Sequence, residues 1–436
     1  MASVPPHLSG ILVAMNASRP RPFHFRLIVE LLATLQDGRV PADRLMQSAF
    51  RERRQMGGRD RALVAETVWQ VLRHRRRLAW IAGSEEPANL AACALLDTGL
   101  AEADCLPALG WSGDIVLLAE RVASGLPPDA PFALRASLPD WLASRLLAQF
   151  GADEAMVLAE ALNRTAPVDL RINTLKTTRA ELAAELAAAG HICTPTSLSP
   201  EGVRLESRRP LAALPAFREG RFEVQDEGSQ LIAHLLDPQP GEAVLDLCAG
   251  TGGKSLHIAT LMQGSGTVTA CDVAEQRLAL LAPRLARSGL ANVRMLPIRD
   301  ENDARLKRLR GSFDRVLVDA PCSGSGTLRR HPDIKWRPLD LDALVRTQSG
   351  LLDRASELLK PGGRMVYATC SLLDEENQAQ LRAFRARHHE FMVLNAADIL
   401  REAGIGWSDG GDAMLLLPHR HGTDGFFAAA LVKGVA

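Results

Sequence analysis

Ala243-Val244-Leu245-Asp246-Leu247-Cys248-Ala249-Gly250-Thr251-Gly252-Gly253-Lys254-Ser255 reads as an apolar run, a glycine loop and the first turn of a helix. Such a run bounded by turn residues is a buried strand, Ala243–Leu247. Downstream the two signals alternate. The pattern predicts helix Ser255–Met262, strand Thr267–Ala270, helix Glu275–Ser288 and strand Val293–Pro297. It continues with strand Arg315–Val318, helix Asp342–Leu359, strand Arg364–Ala368 and helix Glu375–Ala386. Alternation of this kind implies a parallel sheet covered by helices on both faces. The final apolar runs, Met414–Leu417 and Phe426–Val432, predict an antiparallel hairpin. Residues 239–436 are therefore expected to form an α/β, Rossmann-like domain.

The glycine loop fits neither common nucleotide signature. Its tail mimics G-x-x-x-x-G-K-[ST], but Cys248 stands at the first glycine; Ser255 spoils the last glycine of G-x-G-x-x-G. Glycines still allow a ligand close to the backbone. Asp272 ends the next strand, 19 residues after Gly253 (272 − 253), where a carboxylate can bond ribose hydroxyls. A ribose-bearing ligand without a long polyphosphate fits, and S-adenosylmethionine is the expected cofactor.

Upstream the pattern changes twice. Residues 1–20 are expected to be a flexible arm. Over 21–150 the apolar spacing is helical, as in Leu27, Leu31 and Leu35 or Val64, Val68 and Val71, which predicts an all-α domain. Over 151–238, alternation at Val168–Ile172, Val203–Leu205 and Phe222–Val224 with a helix at 180–189 predicts a small α+β domain. The 51 basic and 51 acidic side chains cancel, so no global attraction to nucleic acid follows. Arginine is nevertheless dense at Arg51, Arg53, Arg54, Arg59, Arg61, Arg73, Arg75, Arg76 and Arg77, and again at Arg164, Arg171, Arg204, Arg208, Arg209, Arg218 and Arg221. Such stretches are solvated helix faces or phosphate contacts. Aromatic residues make up only 4%, so any RNA affinity is expected to rest on arginine more than on stacking.

The seven cysteines include no C-x-x-C pair and no Cys/His ligand spacing, and their number is odd. Neither a metal site nor a disulfide framework is expected. With no apolar segment of membrane-spanning length, a cytoplasmic location and a monomer are expected. His331, His388, His389, His419 and His421 are expected at the surface.

Cys322, in Asp319-Ala320-Pro321-Cys322-Ser323-Gly324, and Cys370, in Thr369-Cys370-Ser371, each follow a short apolar run. The carboxyl ends of strands in an open α/β sheet line the ligand crevice. A thiolate is a strong nucleophile and a good leaving group. Carbon 5 of cytosine is a poor nucleophile until a thiolate adds to carbon 6 and makes the ring an enamine. Carbon 5 can then attack a methyl sulfonium, lose its proton and expel the thiolate. Cys370, Cys322 and Asp319 can supply the nucleophile, the second base and the grip on the ring edge, with Lys254 a candidate for lowering a thiol pKa. A protonated Asp319 would donate to ring nitrogen 3, and an ionised one would accept from the exocyclic amine.

On these residues the chain resembles the RNA cytosine-5 methyltransferases, in particular the bacterial Sun/Fmu (RsmB) type acting on small-subunit (16S) ribosomal RNA. The resemblance also rests on Arg329-Arg330-His331-Pro332-Asp333-Ile334-Lys335-Trp336, Glu375-Glu376-Asn377 and Asp424-Gly425-Phe426-Phe427. The helical front, with Arg59-Asp60-Arg61-Ala62-Leu63, resembles the NusB-type RNA-binding domain of that family. The resemblance implies that Cys370 is the nucleophile and that Cys322 assists release. It places Cys248, Ala249, Gly250, Thr251, Gly252, Gly253, Lys254, Asp272, Asp300 and Asp319 around the cofactor. Where relatives carry Ala-Pro-Gly-Gly, this chain has Ala249-Gly250-Thr251-Gly252-Gly253, and Glu301-Asn302 after Asp300 is also a departure. Two rival readings are a DNA cytosine-5 methyltransferase with Cys322 as nucleophile and a catalytically silent RNA-binding assembly factor.

Overall fold

The computed structural model describes residues 19–206 and 210–435; the expected arm lies outside them except for its last two residues. The chain divides into two compact units, one of Met1–Thr165 with Thr327–Leu339, the other of Ala166–Gly326 with Asp340–Ala436.

Every regular element described in the first unit is helical, as its spacing predicts. Helices Pro22–Leu35, Ala42–Glu52, Gly58–Ala82 and Pro87–Asp97 bury Leu27, Leu31, Val64, Val68 and Leu95 in one core. The expected boundary at 150 falls at a kink in Asp140–Leu162, where Gly151 (φ +74°) leaves helical geometry and two helices join. Leu158 and Leu162 beyond the bend are buried, so the unit runs to Thr165. The larger correction concerns Thr327–Leu339, expected in the α/β domain but part of the helical unit. There Lys335 is buried and donates to Arg73 O (2.7 Å), Ser137 O (2.8 Å) and Asn163 Oδ1 (3.0 Å). Trp336 Nε1 donates to Leu72 O at 2.6 Å.

The arginine-rich front is mostly turned to internal use. Arg53 pairs with Glu30, Arg75 with Glu85, Arg76 with Asp140 and Arg77 with Asp97, while Arg61 bonds Met56 O. Arg51, Arg54 and Arg59 are the exposed members of the group.

The second unit begins with a four-stranded antiparallel sheet: β1 (Val168–Ile172), β2 (Cys193–Pro195), β3 (Gly202–Leu205) and β4 (Phe222–Val224), in the order β2-β3-β1-β4. Its core is Leu170, Leu182, Leu186, Val203 and Phe222. Helix Glu227–Leu236, unforeseen, follows an Asp226 cap whose side chain accepts from Gly228 N; all ten of its residues are buried. An element buried all round shows no amphipathic stripe, so its periodicity is lost.

The larger sheet holds β5 (Ala243–Asp246), β6 (Thr267–Asp272), β7 (Val293–Pro297), β8 (Phe313–Asp319), β9 (Leu359–Thr369), β10 (Phe391–Leu394), β11 (Ala413–Leu416) and β12 (Phe426–Lys433). The order is β10-β12-β9-β8-β5-β6-β7, with β11 also pairing β12. Strands β5 to β9 are parallel; β11 and β12 form the expected antiparallel hairpin, and β12 also runs antiparallel to β9. Edge strand β10 was not foreseen. After β7 the chain crosses back to place β8 beside β5, so the order reverses there and a crevice opens at the carboxyl ends. Among the described residues no helix is long and apolar enough to cross a membrane.

Candidate active site

The topology determines which loops meet at that crevice. Strands β8 and β9 are parallel neighbours in register Asp319↔Ala368, so the segments leaving them start side by side. Ala320 N bonds Ala368 O and Gly326 N bonds Cys370 O, both at 2.9 Å. The result is Cys322 Sγ 3.3 Å from Cys370 Sγ. Both cysteines are half-buried, while Ser323, Ser325, Thr369 and Ser371 around them are buried. The hydrogen bond to Cys370, then burial, hold the Cys322 thiol well above its ordinary range.

On β5's side, Lys254 Nζ lies 2.7 Å from Asp319 Oδ2 and 5.7 Å from the Phe426 ring centre. Burial works against the ammonium, but Asp319 outweighs it and Lys254 is held above its usual pKa, with Cys370 also favouring the charge. Lys254 is thus held as a cation in the neighbourhood of Cys370. Cys248, in the loop, is kept a neutral thiol by burial and by the carboxylates of Asp246, Asp319 and Asp272.

The glycine loop turns at Gly250 (φ +58°) and Gly252 (φ +80°). A Cβ on Gly252 would stand 2.3 Å from Leu281 Cδ1, so both space and backbone demand glycine there. Gly250 N donates to Asp272 Oδ2 and Ala274 N to Asp272 Oδ1, each at 2.7 Å. Asp272 is oriented by one backbone donor from the glycine loop and one from the residue two positions after it, with a lone pair left on each oxygen. Beside it Val273 is exposed, an apolar face at the mouth of the crevice.

Residues 233–432 match the family described as 16S rRNA methyltransferase RsmB/F, and residues 138–212 match the ferredoxin-like domain of RsmF/B-like methyltransferases. A Synechocystis protein named "Probable ribosomal RNA small subunit methyltransferase B" is 38% identical over 300 residues, covering 68% of this chain and 67% of its own length. Ribosomal RNA small subunit methyltransferase B of an Enterobacter species is 41% identical over 299 residues, 68% of this chain and 66% of that one. The matched region therefore spans about two thirds of these curated relatives. A crystal structure of a methyltransferase homologue from Pyrococcus horikoshii is 30% identical, covers 71% of this chain and all of that one, and has a TM-score of 0.59. The chain belongs to the RsmB/F family.

As in a methyltransferase of this family, the cofactor is S-adenosylmethionine, and the crevice suits it. The left-handed glycine loop, the Asp272 carboxylate and the apolar Val273 face offer backbone approach, ribose acceptors and a surface for a purine. Lys254 and Asp319 stand between the loop and the thiols. Asp300 is exposed just beyond β7, three residues after Pro297, which pairs with Asp272, and its Oδ1 accepts from Asn302 N at 2.7 Å.

Sequence reasoning missed the groups behind the RsmB/F loop. Arg171, read above as a solvated or phosphate-binding residue, is buried in the small sheet; it donates to Gly253 O at 2.8 Å and to Gln225 Oε1. Burial pushes its pKa down to about 10. Arg284 donates to Thr251 O (2.7 Å) and Oγ1 (2.9 Å), and Glu223 of β4 holds it at 2.9 Å. An arginine at alternate strand positions facing inward was the one available signal, and Arg171 lies two residues after Asp169 on the buried face. The expected surface histidines also need correction at His421, which is mostly buried and pairs with Asp409 at 3.0 Å. A separate buried trio, Glu201, His234 and His257, brings one ligand atom from each within 4.8 Å of the others. Burial, and then cationic Arg171, hold His257 well below its ordinary pKa, while His234 Nε2 lies 3.0 Å from Glu201 Oε2.

Proposed function

We propose that the protein methylates carbon 5 of a cytidine in small-subunit ribosomal RNA through a covalent Cys370–carbon 6 adduct. The observation that carries this reading is the pair of sulfurs 3.3 Å apart, with the Lys254–Asp319 ion pair alongside. Bound S-adenosylmethionine supplies an electrophilic methyl group. Cys370, next to the Lys254 cation, adds as thiolate to carbon 6, and the ring electrons shift to carbon 5. Asp319 faces the crevice where it can grip the ring edge. Once Cys370 is a thioether it no longer repels charge on Cys322. Cys322 then ionises, releasing its proton to solvent, takes the proton from methylated carbon 5, and the carbon 6–sulfur bond breaks to return the Cys370 thiolate. The helical unit serves as a NusB-type RNA-binding domain in a cytoplasmic, monomeric enzyme, and Arg51, Arg54 and Arg59 are its exposed phosphate contacts.

Bisulfite sequencing of ribosomal RNA from cells with and without the protein tests the product. Purified variants test the chemistry: Cys370→Ser is expected to give no RNA–protein adduct stable to denaturation, and Cys322→Ser to accumulate one. Adduct formation by Cys370→Ser would reverse the roles of the thiols.

A further inference from the structure

Glu376 lies six residues after Cys370, in the short turn Asp374–Glu376, and its side chain is fully buried. An acidic side chain without solvent is costly unless donors surround it. Four do. Oε1 accepts from Ser323 N at 2.8 Å and Gln348 Nε2 at 3.0 Å; Oε2 accepts from Ser323 Oγ at 2.5 Å and from Ser371 Oγ. Ser323 directly follows Cys322, and Ser371 directly follows Cys370. Gln348 also donates to the carbonyl of Pro321, the residue before Cys322, at 3.0 Å. One carboxylate therefore spans the loops from β8 and β9 just behind the sulfurs.

The charges around the thiols are unequal. Glu376 adds a repulsion that raises Cys322, after the effects of Cys370 and burial. Buried Tyr367 is held neutral, and its hydroxyl donates to the Glu376 carbonyl at 2.6 Å. Cys370 favours the charge on Lys254, whose counter-ion is Asp319.

We propose that Glu376 is a positioning residue of the methyl-transfer reaction, fixing the spacing of the two thiols and keeping the proton on Cys322 while Cys370 attacks. This inference rests on the covalent reading above. It goes beyond that reading in naming what makes two neighbouring cysteines inequivalent.

The test is Glu376→Gln in the full chain. Its first readout is alkylation of the free enzyme by iodoacetamide from pH 6 to 10, with each cysteine followed by mass spectrometry. In the natural protein Cys370 is expected to label at lower pH than Cys322. In Glu376→Gln the gap should narrow, with Cys322 labelling at lower pH. The second readout is single-turnover methylation, expected to slow about tenfold or more with the KM for RNA little changed. Should that variant fail to fold, Ser371→Ala, which removes one of the four donors to Glu376 and leaves the charge, is expected to slow methylation while preserving the labelling order. Labelling and rates matching the natural protein in the variant that folds would overturn the proposal. Failure of the covalent reading is seen separately, as the natural protein giving no adduct with RNA carrying 5-fluorocytidine, whose carbon 5 has no proton to lose.

Discussion

Asp246 ends β5 with its carboxyl group fully buried, Oδ2 accepting from Ser255 Oγ at 2.6 Å and Oδ1 without a partner among the described residues. Burial pushes its pKa up to about 7, against the Ser255 bond, and Asp319 adds repulsion. The folded protein therefore holds a proton there that the unfolded chain releases near its ordinary value of 3.8. Between those values the folded state binds more protons, so this group makes stability fall as pH rises from about 4 to about 7, with no further loss above. Asp246→Asn cannot ionise. Urea unfolding of the variant and the natural protein at pH 5 and pH 8 should show the variant gaining on the order of 2–4 kcal/mol relative to the natural protein at the higher pH. An equal difference at both pH values would mean that Asp246 titrates normally. At this scale the meeting of Cys322 with Cys370 and of Lys254 with Asp319 was readable from sequence, because all four stand at strand ends or in the glycine loop. Glu376 was not, because an acidic Asp374-Glu375-Glu376 run looks like solvated surface until the fold buries its last member.

At the scale of elements, the small antiparallel sheet has a structural task at the cofactor loop. Strand β1 sends Arg171 to Gly253 O, and β4 sends Glu223 to Arg284, which grips Thr251 through two bonds. A loop held in left-handed turns needs such support, since each exposed carbonyl otherwise trades its partner for water. Arg284→Ala frees Thr251 and leaves Glu223 with Arg287 as its remaining partner. Titration calorimetry should show S-adenosylmethionine binding weakened about tenfold, or ~1.4 kcal/mol, while Cys322 and Cys370 keep their labelling order. Unchanged affinity would show that the loop keeps its shape without this clamp. The strands of both sheets were mostly legible because alternation and apolar runs survive in them. Helix Glu227–Leu236 was not, since a wholly buried helix carries no polar face, and Arg171 of β1 read as a solvated or phosphate-binding residue because strand periodicity does not say which face meets another layer.

At the scale of the whole molecule, the notable feature is that a segment from within the α/β sequence belongs to the helical unit. Thr327–Leu339 lies between β8 and helix Leu341–Leu358, yet its side chains complete the packing of residues far earlier in the chain. Such an excursion has no local signal: Arg329–Trp336 looks like an ordinary loop, and only the partners across some 260 residues reveal its role, as in Lys335 with Arg73 at a separation of 262. The tie is chemical rather than merely apolar. Lys335 spends all three of its donors on Arg73 O, Ser137 O and Asn163 Oδ1, and burial, aided by Arg73, drives its pKa well below the usual lysine range. Asp333 Oδ2 adds a bond from Ala42 N at 3.1 Å, and Trp336 caps Leu72 O. Lys335→Met keeps the aliphatic stem but leaves three buried acceptors without their donor. Each such loss costs about 1–3 kcal/mol when water cannot replace it. Thermal unfolding of the full chain should therefore show the transition of the helical unit lowered, while cofactor affinity, set by groups in the other unit, stays the same. If the lysine were merely fitted into spare space, the methionine variant would unfold with the natural protein, and the segment would be held by its other contacts, among them those of Trp336, Asp333 and Arg329.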